Sequence, residues 1–394
     1  MLPAPEQAYI LTHLTADVRA LVLNPPAQPK LDYRLVAEQI QARQKAREKL
    51  PHWYANPDLI FPAALSVEQA SSEQTAAYKA SLVSGELLID LTGGMGVDTA
   101  AFAGRMNQVI YVERSNVLTA IAAHNLRALG HATIDFITGD GLDQLARLSI
   151  PADWAYLDPA RRDDRGGRVV QLADCEPDVL NQLPLLLAKA NRLLIKTAPL
   201  LDIEATLRVL PTTQAVHVVA AQGEVKETLF VLGQTPIAST DVQMTAVNFR
   251  DIPLDNQVFT YKRGDESSAP VALSNPLTYL YEPNAAVLKA GAFRLVGQQF
   301  GLAKLAPHSH LYTSRELVAA FPGRVFRVEA ICKPNRAEVR KILPSQQANL
   351  TVRNFPETVA RLRQTLALRE GGNTYIFATT FANNDKRLLV TQKV

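Results

Sequence analysis

The chain reads as an α/β protein. A Rossmann-like sheet, parallel with one antiparallel strand, lies between a helical N-terminal region and small α+β C-terminal domains. Three observations predict this. From Ser84 to about Leu232, short apolar runs alternate with longer amphipathic ones. Four of the apolar runs end in or beside an acid: Asp90, Glu113, Asp140 and Asp158. The first run is followed by the turn Thr92-Gly93-Gly94-Met95-Gly96, and strand, acid, glycine-rich turn and helix start is the order in which an open sheet builds a nucleotide pocket.

The elements follow in order. Residues 1–80 are expected to be helical, because Tyr9, Ile10, Leu14, Val18 and Leu21 fall near helical spacing and Val36, Ile40 and Leu50 flank a polar run. Asp32 suits an N-cap, and Lys45, Arg47 and Lys49 make a solvated face. Trp53 and Tyr54 fall in a loop and pack. Residues 81–235 carry the sheet. Strands are expected at Leu87–Leu91, Gln108–Val112, Thr133–Thr138, Trp154–Leu157 and Leu193–Lys196. Helices are expected from Thr99, over Val117–Leu129 and over Val179–Ala190. Val216–Ala221 and Thr228–Leu232 flank Gln222-Gly223-Glu224, a link short enough only for an antiparallel hairpin. Residues 236–274 read as a connector with some strand character at Val242–Val247 and Val258–Tyr261. Residues 275–324 form a small α+β unit with helices at Ala285–Ala290 and Ser314–Ala320. Residues 325–394 form another, with strands at Val325–Cys332, Ala348–Val352, Tyr375–Thr380 and Arg387–Thr391 and helices at Asn335–Ile342 and Pro356–Leu366.

Charge is split along the chain. The net charge is only +3, but residues 301–394 hold 15 Lys+Arg against 6 Asp+Glu, leaving 26 basic and 32 acidic residues elsewhere. The basic end suits a polyanion. Two cysteines, Cys175 and Cys332, make no disulfide framework and sit in no metal-ligand spacing, so no metal is expected and a reducing cytoplasm fits. The first residues lack the basic start and apolar run of a secretion signal, and no apolar stretch is long enough to span a bilayer. Nothing in the sequence sets the oligomeric state.

The chemistry concentrates at the strand ends. A carboxylate at Asp90 repels a pyrophosphate and suits a cationic ligand. S-adenosylmethionine is such a ligand, with an α-ammonium, a sulfonium and no phosphate. Glu113, at the second strand tip, can accept both ribose hydroxyls of an adenosine. Asp140 can take an adenine amino group or cap the next helix. Asp158-Pro159-Ala160-Arg161-Arg162-Asp163 closes the fourth strand and faces the same pocket. There the proline fixes the backbone, Asp158 can accept a proton, and the arginines can clamp a phosphate or carboxylate. Lys196 either lines the substrate side or pairs with a pocket acid.

These strand ends, in this order, resemble class I S-adenosylmethionine-dependent methyltransferases over roughly residues 75–235. The whole chain resembles a bacterial methyltransferase-like family with a small ferredoxin-like domain and a C-terminal THUMP-like domain. The resemblance is carried by Asp90–Gly96, Asp158–Asp163, Asn349-Leu350-Thr351-Val352-Arg353-Asn354-Phe355-Pro356 and the segment Glu370–Thr380. It implies that Asp90, Gly94 and Gly96 surround the methionine moiety, Glu113 the ribose and Asp140 the adenine, with Asp158 and Pro159 in the catalytic loop. Two positions depart from the pattern. Thr92 replaces the usual first glycine, its hydroxyl within reach of the cofactor. Ala160 and Arg161 replace a second proline and an aromatic, which removes the stacking ring for a flipped base. A uracil-C5 mechanism needs a cysteine after the fifth strand, and Lys196-Thr197-Ala198-Pro199 offers none.

The expected activity is methyl transfer from S-adenosylmethionine to a base nitrogen or ribose oxygen of RNA, by in-line displacement. Asp158, Pro159 and Arg161 are the catalytic candidates, and Asp90, Thr92, Gly94, Gly96, Glu113 and Asp140 the cofactor-binding ones. Arg162, Lys196, Arg336, Arg340 and Lys341 are candidates for the substrate. Two alternatives stand beside it: methylation of a small molecule or protein, and a non-catalytic RNA-binding protein that senses the cofactor.

Overall fold

A computed structural model describes residues 3–161, 171–250 and 256–394. The chain divides into two compact units, residues 1–212 with 230–235, and residues 213–229 with 236–394.

The first unit opens with six helices: α1 (Ala4–Thr12), α2 (Val18–Leu23), α3 (Tyr33–Lys49), α4 (Pro51–Ala55), α5 (Ala64–Gln69) and α6 (Glu73–Ser81). Ile10, Leu21, Val36 and Ile40 form the buried centre of the first three. Asp32 caps α3, accepting the N–H groups of Arg34 and Leu35 at 3.1 Å each. Trp53 and Tyr54 lie in a short helix rather than the expected loop, because the Glu73 carboxylate accepts the His52 and Trp53 N–H groups at its N-terminal end. Arg43 is buried, its guanidinium shared among backbone carbonyls that include Leu59 at 2.8 Å.

Five parallel strands follow: β1 (Gly85–Asp90), β2 (Met106–Glu113), β3 (Ile134–Thr138), β4 (Ala152–Leu157) and β5 (Ala190–Thr197). Their order is β5-β4-β1-β2-β3. The direction of winding reverses between β1 and β4. Ligand crevices form outside the carboxyl ends of the strands at such a switch point. Leu88, Ile89, Ala155, Leu157 and Leu193 are fully buried, as expected for strands covered on both faces. The helices between them are α7 (Val97–Ala103), α8 (Asn116–Ala128), α9 (Gly141–Arg147), α10 (Val179–Lys189) and, after β5, α11 (Ile203–Val209). Of these, α9 and α11 were not expected from the sequence; each has seven residues, as α7 does.

The second unit begins with β6 (Thr213–Ala221) and the first part of β7 (Glu224–Leu232), neighbours joined by a two-residue turn. Gln222 and Gly223 both have positive φ, 55° and 79°, the conformation that matches the twist of an antiparallel hairpin. The stretch read as a connector adds β8 (Gln243–Phe249), parallel to β6, and β9 (Gln257–Lys262), antiparallel to β8. Helix α12 (Arg263–Ser268) follows.

Residues 279–393 share one seven-stranded sheet. In chain order its strands are β10 (Tyr279–Pro283), β11 (Ala303–Lys304), β12 (Tyr312–Ser314), β13 (Gly323–Cys332), β14 (Asn349–Arg353), β15 (Thr374–Thr380) and β16 (Lys386–Lys393), arranged β11-β12-β10-β13-β16-β15-β14. Helices α13 (Ala285–Ala290), α14 (Leu295–Gln299), α15 (Arg336–Ile342) and α16 (Val359–Leu366) complete it. The helix expected at Ser314–Ala320 is absent: Ser314 ends β12, and the Tyr281 hydroxyl takes the Val318 N–H and donates to the Glu316 carbonyl, backbone groups a helix would need. Glu282, 3% exposed, binds both Arg324 and Arg353 and ties β10 to β13 and β14.

Candidate active site

At the carboxyl ends of β1, β2, β3 and β4 the first unit holds a cavity of about 320 Å³. That is enough for a nucleoside-sized ligand. Its floor is the loop after β1. Gly94 and Gly96 adopt φ +54° and +87°, which side chains disfavour, and Gly96 sits at the N-cap of α7. Gly93 has no room for a side chain, since a Cβ there would stand 2.2 Å from the Tyr111 ring. That ring is pinned by its hydroxyl, which donates to the Gly94 carbonyl at 2.7 Å.

The six cofactor candidates fall into two groups. Thr92, Gly94, Gly96, Glu113 and Asp140 line the cavity. Glu113 accepts the N–H of Gly94 at 3.0 Å and of Ser115 at 2.8 Å, so its carboxylate is fixed at the tip of β2. The Thr92 hydroxyl accepts the Asp158 N–H at 2.8 Å, linking the glycine loop to the start of the loop after β4. Asp140 does one of the two tasks foreseen for it, the helix cap. One oxygen caps α9, and the other binds the Arg114 guanidinium at 2.6 Å. Burial raises the Asp140 carboxyl, but Arg114 and the two cap N–H groups outweigh it, so its pKa is lowered.

Asp90 differs from this expectation. It is 1% exposed and lies beneath the loop, away from the cavity wall. One oxygen accepts the Thr92 N–H at 3.1 Å and the other the Thr99 hydroxyl at 2.6 Å. Burial pushes its pKa up to about 7, with Asp98 and Asp158 nearby adding to the rise. An acid with both oxygens committed in this way shapes the loop.

Asp158 lines the cavity and is ion-paired with Lys196, which reaches it from β5. Ala160 also lines the wall, with Pro159 between them. Ala160 and Arg161 pair with Glu176 and Cys175 in a short antiparallel ladder. Arg162 lies outside the described residues. Cys175 is buried and off the cavity wall. Arg336, Arg340 and Lys341 belong to the second unit, all exposed on α15.

Several wall residues were not foreseen. Arg114 bridges Asp140 and Glu176, and those two acids raise its pKa. Asp98, 12% exposed, accepts hydroxyls from Ser71 at 2.8 Å and Tyr156 at 2.7 Å and pairs with Lys79 at 3.2 Å. Burial raises the Asp98 carboxyl, but Lys79, Lys196 and the two hydroxyls overcome it and the pKa ends below its ordinary value. Ser66, Gln69, Ala70 and Ser71 bring the N-terminal helical region onto the wall. Arg114 and Asp98 were visible beside motif residues. The Ser66–Ser71 segment gave no local signal, because only tertiary packing brings it there.

The fold and this cavity place the protein among Rossmann-like S-adenosylmethionine-dependent methyltransferases, and comparison with known proteins gives the family. A crystal structure of a candidate methyltransferase from Porphyromonas gingivalis W83 is 34% identical and superposes with a TM-score of 0.87, over 99% of this chain and 98% of that one. An uncharacterized S-adenosylmethionine-dependent methyltransferase from Mycobacterium tuberculosis, found in two strains, is 26% identical over 306 residues, 77% of this chain and 80% of the relative. Residues 279–322 match a family described as a ferredoxin-like domain, and residues 323–393 one described as THUMP domain-like. The chain belongs to the family of the Porphyromonas protein: an S-adenosylmethionine-dependent methyltransferase with ferredoxin-like and THUMP-like domains. This removes the non-catalytic alternative. Among the described residues no helix is long and apolar enough to cross a membrane, and no acid, histidine and cysteine cluster could hold a metal ion.

Proposed function

We propose that the cavity after β1 holds S-adenosylmethionine and that the enzyme methylates RNA at a base nitrogen or ribose oxygen. The cofactor placement rests chiefly on Glu113, a carboxylate fixed at the β2 tip beside a loop with no Cβ in the way. Glu113 accepts the ribose hydroxyls. Asp140 takes the adenine amino group in exchange for one of its two hydrogen bonds from Arg114. Thr92, Gly94 and Gly96 let the backbone approach the methionine moiety. S-adenosylmethionine supplies the electrophilic methyl. Asp158 accepts the proton lost by the acceptor atom, Lys196 holds its carboxylate in place, and Pro159 stiffens the loop. Arg161 and Arg162 are the loop's candidates for the substrate's phosphates, with the Arg161 side chain and Arg162 outside the described residues. Most of the rate comes from orientation of the two reactants.

The RNA assignment is supported by α15. Arg336, Arg340 and Lys341 are exposed on it and make no hydrogen bond or ion pair among the described residues. Free cations on one short helix of a THUMP-like domain suit salt-sensitive phosphate contacts. The test is mass spectrometry of modified nucleosides from cells with and without the gene. One methylated nucleoside is expected to disappear and to return with the wild-type gene but not with Asp158→Ala. An unchanged nucleoside profile, together with no retention of bulk ribosomal RNA by the purified chain at low salt, removes the RNA reading.

A further inference from the structure

We infer that Asp98, held by Lys79 and Ser71 of the N-terminal helical region, binds the α-ammonium of S-adenosylmethionine in place of Asp90. The inference deepens the cavity assignment above and rests on it. An ammonium needs an ionised carboxylate at the wall. Asp90 fails the second condition: it lies under the loop and off the wall, its oxygens are taken by Thr92 and Thr99, and burial pushes its pKa up. Asp98, eight residues on and two past Gly96, meets both.

Its surroundings are built around the charge. The Ser71 and Tyr156 hydroxyls both donate to Oδ2. Oδ1 has the Lys79 ammonium 3.2 Å away but takes no hydrogen bond, an uncommon state for a buried carboxylate oxygen. Lys79 itself is fully buried, with its Nζ also donating to Ser71 Oγ at 2.9 Å. A buried lysine of this kind keeps a neighbouring acid ionised in low dielectric. The other acids on the wall are held elsewhere by partners of their own. Glu113 holds two backbone N–H groups at the β2 tip, Asp140 and Glu176 bind Arg114, and Asp158 binds Lys196. The N-terminal region therefore supplies part of the cofactor site: Ser71 lines the cavity beside Asp98, and α6 carries Lys79.

The test is a cycle in ligand and protein, read by calorimetry on the full chain. The ligands are S-adenosylhomocysteine and its deaminated analogue, which keeps the adenosine, thioether and carboxylate but lacks the ammonium. Wild type is expected to bind the analogue about tenfold more weakly, the usual scale of one charge-assisted hydrogen bond. In Asp98→Asn that difference is expected to vanish, both ligands binding as the analogue does to wild type. In Asp90→Asn it is expected to persist. A tenfold preference that survives in Asp98→Asn overturns the inference, as does a wild type indifferent to the ammonium. Wild type that binds neither ligand overturns the cavity assignment itself. Should Asp98→Asn not fold, Lys79→Met gives the same reading through pH. Its preference for the aminated ligand should fade as pH falls from about 8 to about 5, where wild type holds steady. A flat profile in the folded variant counts against Asp98.

Discussion

The acids of the first unit and the cations of the second carry charge in opposite ways. Glu113, Asp140, Asp98 and Asp158 each have fixed partners, and the loop they surround is locked by Tyr111. Arg336, Arg340 and Lys341 stand in solvent on α15. A preorganised carboxylate recognises one small ligand by geometry, and its contribution is little affected by salt because it is partly screened from water. A free cation recognises a polyanion by charge, with long reach and little geometry. Substitutions in the first unit should therefore act steeply and specifically, and those on α15 weakly and through ionic strength.

The largest effect should come from Gly93→Ala. The added methyl would meet the Tyr111 ring at 2.2 Å, and the ring cannot swing aside without losing its bond to Gly94. The loop must move instead, and S-adenosylhomocysteine affinity is expected to fall by about a hundredfold or more, since shifts on the order of 1 Å at a site cost that much. Calorimetry that finds affinity within a few-fold of wild type would show that this loop is not the ligand's floor.

Asp158→Asn comes next. Its N–H still reaches Thr92, so the loop contact survives. Cofactor affinity should hold within about threefold while turnover drops about a hundredfold, the low end for a lost general base. Equal losses in both would recast Asp158 as a structural partner of Lys196.

Asp90→Asn tests stability. The folded pKa of Asp90, about 7, lies above its ordinary value of 3.8, so the folded state holds its proton longer than the unfolded chain does. The stability this contributes is full below the ordinary carboxyl value and is lost as pH rises through about 7. An Asn at 90 can still accept the Thr92 N–H and does not titrate. Wild type is expected to lose on the order of 2–4 kcal/mol relative to Asp90→Asn between pH 4 and 8. Parallel melting curves across that range would place Asp90 in a more polar setting.

Legibility in the sequence divides along the same line. The five parallel strands were legible because each is an apolar run with an acid or turn at its end, and Glu113, Asp140 and Asp158, chosen by position, line the cavity. Asp90 lies off the cavity wall because a strand-end acid can face the cavity or lie beneath the loop, and Thr99, nine residues away, holds it beneath. Asp98 was passed over because its partners come from two distant segments, Ser71 and Lys79 of the N-terminal helical region and Tyr156 of β4. The helix expected at Ser314–Ala320 failed for a similar reason: the competing hydroxyl belongs to Tyr281. Strand ends are local facts; the pairing of a charge is a tertiary one.

The smallest predicted effect separates two arginines of the basic end. Arg353 holds buried Glu282 at 2.9 Å together with Arg324, so its charge is already used within the sheet. Arg336 has no such partner among the described residues and is exposed. Arg336→Ala should leave stability within about 0.5 kcal/mol of wild type, as surface changes away from caps and cores do. It should weaken bulk ribosomal RNA retention only slightly, and lower the salt slope of that retention by about 0.7 to 0.9 for one lost phosphate contact. Arg353→Ala should do the reverse, lowering the melting temperature because Glu282 loses one of its two cations, while leaving the salt slope unchanged. If both variants moved the salt slope equally, RNA would be reading the net charge of the basic end rather than α15, and the second unit would have no defined interface. If Arg336→Ala moved it alone, the free cations on α15 would be the part of the second unit that meets the substrate.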